Sequence, residues 1–216
     1  VLNAEIVDND LFNNRITAGE CIRIANNQVA AGATINVTLT GNRSYDNYHG
    51  FLVNNNQSSN SFVTVMSSGN RFYENAVGGV IIGAVSAGAN VGNGNTVTFT
   101  ADGDIYENNN AVNNSGFPDV GGLVILGGEN TSFVNGVSNN TVNVTLQRCR
   151  FVNNQVHDLA AFGARSTPVS IGTPGTGNTV NLYLRGLTPK FRTQEFVDCL
   201  PASPGSMNTV NLTGLR

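Results

Sequence analysis

The sequence is short of charge and of long apolar runs, and each shortage excludes a class of protein. Charged residues make up 12 % of the 216 residues, and Lys190 is the single lysine. Nucleic-acid binding depends on Lys and Arg at phosphates, so a net charge of −3 without a basic patch excludes a nucleic-acid partner. The longest apolar stretch, around residues 77–85, is interrupted by glycine and falls short of the ~20 residues that span a bilayer. We therefore expect no membrane span.

Cysteine is also scarce, since the chain has only Cys21, Cys149 and Cys199. Three cysteines are too few, and odd in number, for a disulfide framework. We expect buried thiols, and one bridge with one free thiol is the alternative. Metal ligation by these residues is not indicated, because none of them stands in a metal-ligand spacing.

What the sequence does contain is a fourteen-residue frame that recurs along the chain. It is clearest at residues 141–154, TVNVTLQRCRFVNN, and residues 1–14, 34–47, 62–75 and 96–109 align on it without a gap. Two further copies begin at residues 179 and 209 and keep only the first half. The spacing varies from 28 residues (34 to 62) to 45 residues (96 to 141). Rigid strands joined by loops of variable length fit this spacing, because surface loops tolerate insertions.

The positions of the frame separate a buried side from an exposed side. Positions two and four are apolar in every copy, whereas positions three and five are mostly Asn or Thr, which is typical of a half-buried strand. Position eleven supplies a second, mostly apolar column. A third apolar run follows position fourteen after a short bend, often with a preceding Gly. Each copy therefore predicts three short strands, and stacked copies pair like strands in parallel.

Position fourteen is asparagine in all five full copies: Asn14, Asn47, Asn75, Asn109 and Asn154. An asparagine holds a left-handed bend at low cost, and its amide both donates and accepts hydrogen bonds. Stacked copies can therefore bond along the column, as in other asparagine ladders. The sequence predicts that these five residues form a structural ladder and hold the bend.

The coils, the apolar columns and the asparagine column resemble the right-handed parallel β-helix of the pectin lyase-like superfamily. The resemblance covers residues 1 to about 184, with a return at residue 209. It implies an all-β solenoid of about six coils with three short strands each, in a single domain over residues 1–216. That superfamily includes polysaccharide lyases and hydrolases, phage tailspikes, adhesins and proteins without known catalysis, so the resemblance implies no reaction.

The last part of the chain departs from the frame, because most prolines lie there: Pro168, Pro174, Pro189, Pro201 and Pro204. Proline denies a donor to a strand ladder, so residues 186–207 are predicted to be an irregular crossover or C-terminal cap. The first and last copies of the strand have no visible cover, and a solenoid must cover or join its terminal edges. Head-to-tail stacking with a second copy of the chain is therefore a hypothesis.

Catalytic residues are not found where the resemblance would place them. In enzymes of this architecture the outer face of the first sheet carries acids for calcium with an Arg or Lys base, or clustered Asp residues. Positions three and five of this chain hold one carboxylate, Glu5, and no base. Acid–base catalysis needs titratable partners within reach of each other. If the chain is an enzyme, its site would use loop residues: Asp102, Asp104, Arg148 and Arg150.

The arginines near the second strand have two interpretations. They are candidate carbohydrate-binding residues: Arg43, Arg71, Arg148 and Arg150. Alternatively, Arg43 with Asp46 and Arg71 with Glu74 form weak surface ion pairs.

Acidic pairs at the bends are the one weak indication of a metal. They are Asp8 with Asp10, and Asp102 with Asp104 around Gly103. Calcium takes six to eight oxygen ligands, so two carboxylates are too few to assign a metal site, and no cofactor is assigned.

These observations favour a non-catalytic, secreted or cell-surface β-helix that is structural or binds a surface, such as an adhesin, stalk or filament subunit. A carbohydrate-active lyase or hydrolase is the first alternative. Ice or crystalline-surface binding by the Thr and Asn face is the second. The insertion at residues 110–119 is a further candidate for binding, because insertions on one side of a solenoid often carry it.

Overall fold

In the computed structural model of the protein, the described residues are 1–15, 20–25, 31–54, 59–86, 92–110, 121–130, 138–166, 175–187, 194–200 and 207–214. Within these ranges the chain forms eighteen strands and no helix. Accordingly, none of these residues belongs to a helix long and apolar enough to cross a membrane. The strands assemble into three sheets in which every pairing is parallel.

Each of the first five coils supplies strands to the sheets in the order first, second, third. The first sheet contains Leu2–Val7, Thr34–Thr40, Phe62–Ser68, Thr96–Asp102, Thr141–Gln147, Thr179–Arg185 and Thr209–Thr213. The second sheet contains Asp10–Phe12, Arg43–Tyr45, Arg71–Tyr73, Ile105–Glu107 and Arg150–Val152. The third sheet contains Glu20–Ala25, His49–Asn54, Gly78–Ser86, Leu123–Asn130, Leu159–Ser166 and Gln194–Leu200. The predicted right-handed parallel β-helix is confirmed.

The strand register confirms the frame alignment residue by residue. Position two of the fourth coil, Val97, lies opposite Val63 of the coil before and Val142 of the coil after. In the second sheet, Tyr106 lies opposite Phe72 and Phe151 in the same way. Like positions therefore stack directly along the axis of the helix, and each frame position becomes a column.

The segment 186–207 is not irregular throughout. It contains the strand Gln194–Leu200, which pairs in parallel with Leu159–Ser166 and so gives the sixth coil a strand in the third sheet. Pro189 and Pro201 flank this strand in the sequence rather than interrupting it, and strand ends are where proline is tolerated. Residues 188–193 and 201–206 of the predicted cap lie outside the described residues.

The core is a set of apolar columns enclosed by the three sheets. In the strand Thr96–Asp102, Val97, Phe99 and Ala101 are buried, and the alternate residues face outward. Position eleven adds an internal aromatic stack along the axis. The ring of Tyr106 lies 5.7 Å from that of Phe72 and 4.7 Å from that of Phe151 between centroids. Parallel stacking of this kind stabilises neighbouring coils beyond the area that is buried.

The chain turns at three corners in each of the first five coils, and all three corners use the same arrangement of two residues. At the first two corners a residue with positive φ directly follows a strand, and at the third corner it lies two residues before the next strand. In the inner coils the residue after it directs its side chain inward. The positive-φ residue at the first corner is position eight: Asp8, Gly41, Gly69, Gly103 and Arg148. At the second corner it is position thirteen: Asn13, Asp46, Glu74, Asn108 and Asn153. At the third corner it lies two residues before the frame: Gly32, Asn60, Gly94, Asn139, Gly177 and Met207.

The prediction that the position-fourteen asparagines hold the left-handed bend is therefore wrong. The bend lies one residue earlier, where Asn and Asp predominate because their short polar side chains tolerate positive φ. The position-fourteen side chains instead point into the β-helix, and Asn75 and Asn109 are completely buried.

These asparagines form the predicted ladder at the second corner. The Oδ1 atom of Asn109 accepts the backbone N–H of Asn75 at 3.3 Å and its side-chain Nδ2 at 3.0 Å. Asn109 donates from Nδ2 to the carbonyl of Phe72 and to Oδ1 of Asn154, both at 2.9 Å. The backbone contact recurs along the column from Asn14 to Asn47, from Asn47 to Asn75 and from Asn109 to Asn154. Each asparagine thus satisfies backbone groups that burial removes from water.

Two further ladders, at the other two corners, were not predicted from the sequence. At the first corner, successive backbone N–H groups donate to the next side chain at 3.0, 2.8 and 2.8 Å along Asn9, Asn42, Asn70 and Asp104. At the third corner the distances are 3.0, 2.9, 3.0 and 2.9 Å along Ser61, Asn95, Asn140, Asn178 and Asn208. The first-corner ladder mixes residue types, and the third-corner ladder lies one residue before the frame.

The second-corner ladder also explains the glycines before the third strand. A Cβ atom on Gly79 would lie 2.6 Å from the carbonyl oxygen of Gly122 and 2.8 Å from Nδ2 of Asn109. Gly50 and Gly122 stand in the same relation to the coil after them. Contacts this short would displace the ladder side chain or the neighbouring strand, so these positions exclude any residue larger than glycine.

Replacing one rung tests the ladder. We expect Asn109→Ala to lower the free energy of unfolding by about 1–3 kcal/mol, because it removes the side-chain acceptor of the buried Asn75 N–H. The matched control, Asn3→Ala on the exposed outer face, should cost less than about 0.5 kcal/mol. Urea unfolding followed by circular dichroism measures both. Equal losses in the two variants would contradict a structural role for the rung.

Candidate functional site

The outer face of the first sheet is a neutral polar surface made of columns. Threonine occupies position one in five coils: Thr34, Thr96, Thr141, Thr179 and Thr209. Asparagine or threonine occupies position three in all seven copies: Asn3, Asn36, Thr64, Thr98, Asn143, Asn181 and Asn211. Because the strands are in register, hydroxyls and amides repeat at the spacing between coils, about 4.8 Å. Residues that alternate with these positions fill the core.

The amides of position three are aligned along the axis by hydrogen bonds to one another. Asn36 donates from Nδ2 to Oδ1 of Asn3 at 2.9 Å. Asn181 donates to Asn143 at 2.8 Å, and Asn211 donates to Asn181 at 2.9 Å. A primary amide has two donors and two acceptor lone pairs, so each of these side chains keeps capacity for a ligand.

Apolar side chains interrupt this face at the third coil. Phe62 is 51 % exposed and Met66 is 60 % exposed. Beside Met66, a groove of ≈ 480 Å³ crosses the first three coils and is lined by Asn3, Glu5, Asn36, Thr38, Thr64 and Met66. An apolar platform next to amides and hydroxyls suits a ligand that has both C–H surface and hydroxyl groups.

The outer face of the second sheet is different, because it carries aromatic rings and charges. Phe12, Tyr45 and Tyr73 occupy position twelve and stack along the axis, with ring centroids 5.1 and 4.7 Å apart. The guanidinium of Arg71 covers the last ring at 4.3 Å from its centroid. This stack was missed in the sequence, although the shared frame position was a signal for it. The rings cover one another's faces, so a ligand would meet mainly their edges and hydroxyls.

The candidate arginines of this face are paired with carboxylates of the adjacent coil. The pairs are Arg43–Asp10 and Arg71–Glu107, each at 2.6 Å. The prediction that these arginines pair within their own coil is wrong, because Asp46 and Glu74 lie beyond the strand at the positive-φ corner. Asp46 pairs instead with Arg15. Arg43 lies opposite Asp10 of the coil before, and Arg71 reaches Glu107 at position twelve of the coil after. Both partners therefore come from neighbouring coils.

The other two candidate arginines differ from each other. Arg148 bonds through Nε to Asp102 at 2.7 Å, and this hydrogen bond lowers the pKa of Asp102 below its ordinary value. Arg150 is exposed and forms no ion pair within the described part of the chain. In three of the four candidate arginines, a carboxylate of the protein already occupies the guanidinium group to which an acidic sugar would bind.

The residues of the enzyme alternative are divided between the surface and the interior. Asp102, Arg148 and Arg150 lie on the outer side, whereas Asp104 is completely buried in the first-corner ladder. The two carboxylates bond to different partners and point to different sides of the sheet. They therefore do not form the shared calcium site that was considered around Gly103. Of the other acidic pair, Asp8 and Asp10, the latter is bonded to Arg43. Among the residues that the structure describes, no cluster of three or more His, Cys, Asp or Glu could hold a metal ion.

The outer face of the third sheet is apolar and buried, so it is not an open binding face. Leu52, Ile81, Val124, Leu126 and Phe162 form a second hydrophobic cluster there, separate from the main core and at most 8 % exposed. They alternate along their strands with residues of the main core. Of the insertion at residues 110–119, which the sequence analysis considers for binding, residues 111–119 lie outside the described residues.

Comparison with protein-family models, with curated proteins and with solved structures gives no match to this chain. Its function must therefore be inferred from its own residues.

The aromatic stack on the second face yields a stability prediction. Tyr45→Ala removes the contacts of its ring with both Phe12 and Tyr73, and we expect a loss of about 1–2 kcal/mol in the free energy of unfolding. The control is Tyr183→Ala on the first face, where the ring is 40 % exposed and stacks on no other aromatic ring in the described residues. It should cost less than about 0.5 kcal/mol. A larger loss in the control, measured by denaturant unfolding, would refute the contribution of the stack.

Proposed function

We propose that this protein is a non-catalytic, surface-binding β-helix of the pectin lyase-like type, which works outside the cell and binds carbohydrate through the outer face of its first sheet. The observation that carries the proposal is the set of aligned Asn and Thr columns on that face. These columns present uncharged donors and acceptors, which suits a neutral polysaccharide. The exposed Phe62 and Met66 add the apolar surface on which the C–H face of a sugar ring packs.

The periodicity of the face suits a polymer better than a single small molecule. Each coil repeats the same side chains after about 4.8 Å, so a chain of sugars that runs along the axis meets an equivalent set of contacts at each step. Individually weak contacts add up along such a chain, because later contacts form with a partner that is already held close. The groove beside Met66 is the place where we expect the tightest contact.

The two carboxylates on the described part of this face are too far apart to act as a pair, which supports a role without catalysis. The outward position seven adds Asp102 and Arg185 to Glu5. Glu5 lies three coils from Asp102, roughly 14 Å at the spacing of parallel strands. Glycosidases place their two carboxylates about 5–9.5 Å apart. Asp102 is moreover bonded to Arg148, which opposes a role as a general acid.

A binding experiment tests this proposal directly. The purified protein is titrated with soluble neutral polysaccharides and with uronate-containing polymers, and affinity electrophoresis or calorimetry reads the binding. We expect binding to a neutral polymer, with a dissociation constant that changes less than about twofold between 50 and 500 mM salt, since no ion pairs are screened. Preferential, salt-sensitive binding of uronates would instead favour the arginines of the second face.

Matched variants locate the site. Thr98→Arg places a long charged side chain at the centre of the first face, and we expect it to weaken binding at least about tenfold, or 1.4 kcal/mol. Ile105→Arg places the same side chain on the second face and should leave binding unchanged. The reverse result would move the site to the second face.

Release of unsaturated or reducing ends during the assay would replace the proposal with the enzyme alternative, and thermal hysteresis would replace it with binding to ice.

Head-to-tail stacking of two copies stays a prediction. It would suit the stalk or filament subunit that the sequence analysis considers, and it is tested by mass measurement in dilute solution. A mass of one chain at all concentrations would exclude self-association of the isolated protein.

A further inference from the structure

One rung of the first-corner ladder departs from the others. Asn9, Asn42 and Asn70 are followed in the fourth coil by Asp104. Its carboxyl group is completely buried and takes the place of an amide. The Oδ1 atom accepts the backbone N–H of Asn70 at 2.8 Å, as the amide oxygens of the other rungs do. A carboxylate has no donor, however, so it cannot reproduce the N–H of an asparagine rung unless it is protonated.

A second departure lies in contact with the first. Position six is apolar in the other full copies, with Ile6, Leu39, Ala101 and Leu146, but in the third coil it is Ser67. Ser67 is buried, and its Oγ lies 2.5 Å from Oδ2 of Asp104. The same hydroxyl accepts the side-chain N–H of Asn70 at 2.9 Å. A polar core residue therefore accompanies the acid, which indicates a built site rather than an isolated substitution.

Within the part of the chain that the structure describes, no positively charged group pairs with the buried acid. The titratable groups that face it are Tyr106 of its own coil, Cys149 at the corner of the next coil and Asp102 on the outer side of its own corner. Burial raises the pKa of Tyr106 and raises that of Cys149 to about 12, so both are neutral. The arginines of the adjacent coils are exposed on the outer surface: Arg71, Arg148 and Arg150.

We propose that Asp104, with Ser67, is a pH-sensitive rung, neutral in mildly acidic solution and charged near neutral pH, which makes the β-helix more stable in acid. Protonated, the carboxyl group both accepts and donates, as an asparagine rung does. Ionised, it leaves a buried negative charge with hydrogen bonds but no counter-ion, and burying such a charge is costly.

The direction of the effect follows from proton linkage. Burial raises the pKa of Asp104 from its ordinary value of 3.8 to about 6. Between these values the folded protein holds a proton that the unfolded chain has lost. The contribution of Asp104 to stability is therefore present at low pH and is lost as the pH rises through about 6. The unfolding equilibrium constant should rise roughly 50-fold between pH 4 and pH 7 from this group alone. The exposed Asp102–Arg148 pair has the opposite pH dependence. Because the pKa of Asp102 is lowered, the pair's contribution to stability is present above about pH 4 and is lost as the pH falls below it.

Carboxyl titration in the intact protein is the first test. We expect carbon-13 NMR to show one aspartate with a midpoint near pH 6 in wild type, and to lose that titration in Asp104→Asn. A midpoint below pH 4.5 for Asp104 would overturn the proposal. This measurement needs no destabilising substitution, so it decides the question even if a variant fails to fold.

Denaturant unfolding at pH 4.5 and pH 7.5 is the second test. Asp104→Asn restores the asparagine of the other rungs, and its stability should not show the loss that wild type shows between these two pH values. The matched control, Asp8→Asn at the exposed position eight, should keep the wild-type dependence. A wild-type pH dependence that persists unchanged in Asp104→Asn would overturn the proposal.

Discussion

The rest of the structure depends on how the chain satisfies its backbone at the corners. Within the inner strands, N–H and C=O groups pair with the adjacent coils, but the turns bury groups that strand pairing does not reach. A positive-φ residue followed by an inward polar side chain resolves this at all three corners, as Asp46 and Asn47 do at the second corner of the second coil. The acceptor belongs to the next coil, so the same contact also fixes the register between coils.

This constraint determines which positions are free to serve function. Inward strand positions fill the core, corner positions carry the ladders, and glycines such as Gly79 make room for them. Only the outward strand positions and the loops remain unconstrained by the fold. Those of the third sheet are apolar and buried, and those of the second sheet form stacks and ion pairs. Those of the first sheet carry mostly uncharged hydroxyls and amides. The proposed carbohydrate site uses the positions that the fold leaves open.

The sequence predicts the features in which similar residues recur at one frame position. It misses those in which different residue types have the same structural function. The frame, its apolar columns and the asparagines from Asn14 to Asn154 were predicted because one residue type recurs at one position. The first-corner ladder was missed because Asp104 stands in for asparagine, and the third-corner ladder begins one residue before the frame. The ion pairs of Arg43 and Arg71 were assigned to the wrong partners, since sequence proximity favours the same coil whereas stacking brings adjacent coils together. The pH-sensitive rung could not be predicted, because Ser67 and Asp104 lie in adjacent coils, 37 residues apart in the sequence, and meet only when those coils stack.

Amide hydrogen exchange at the corners tests the central claim most directly. The backbone N–H groups of Asn42, Asn109 and Asn140, one from each corner, donate to buried side chains of the next coil. If the ladders hold the coils together, these three amides exchange as slowly as core-strand amides such as that of Phe99, within about tenfold, because opening them requires separation of coils. Exchange of these amides at the rate of exposed turns, with the strands still protected, would contradict the account.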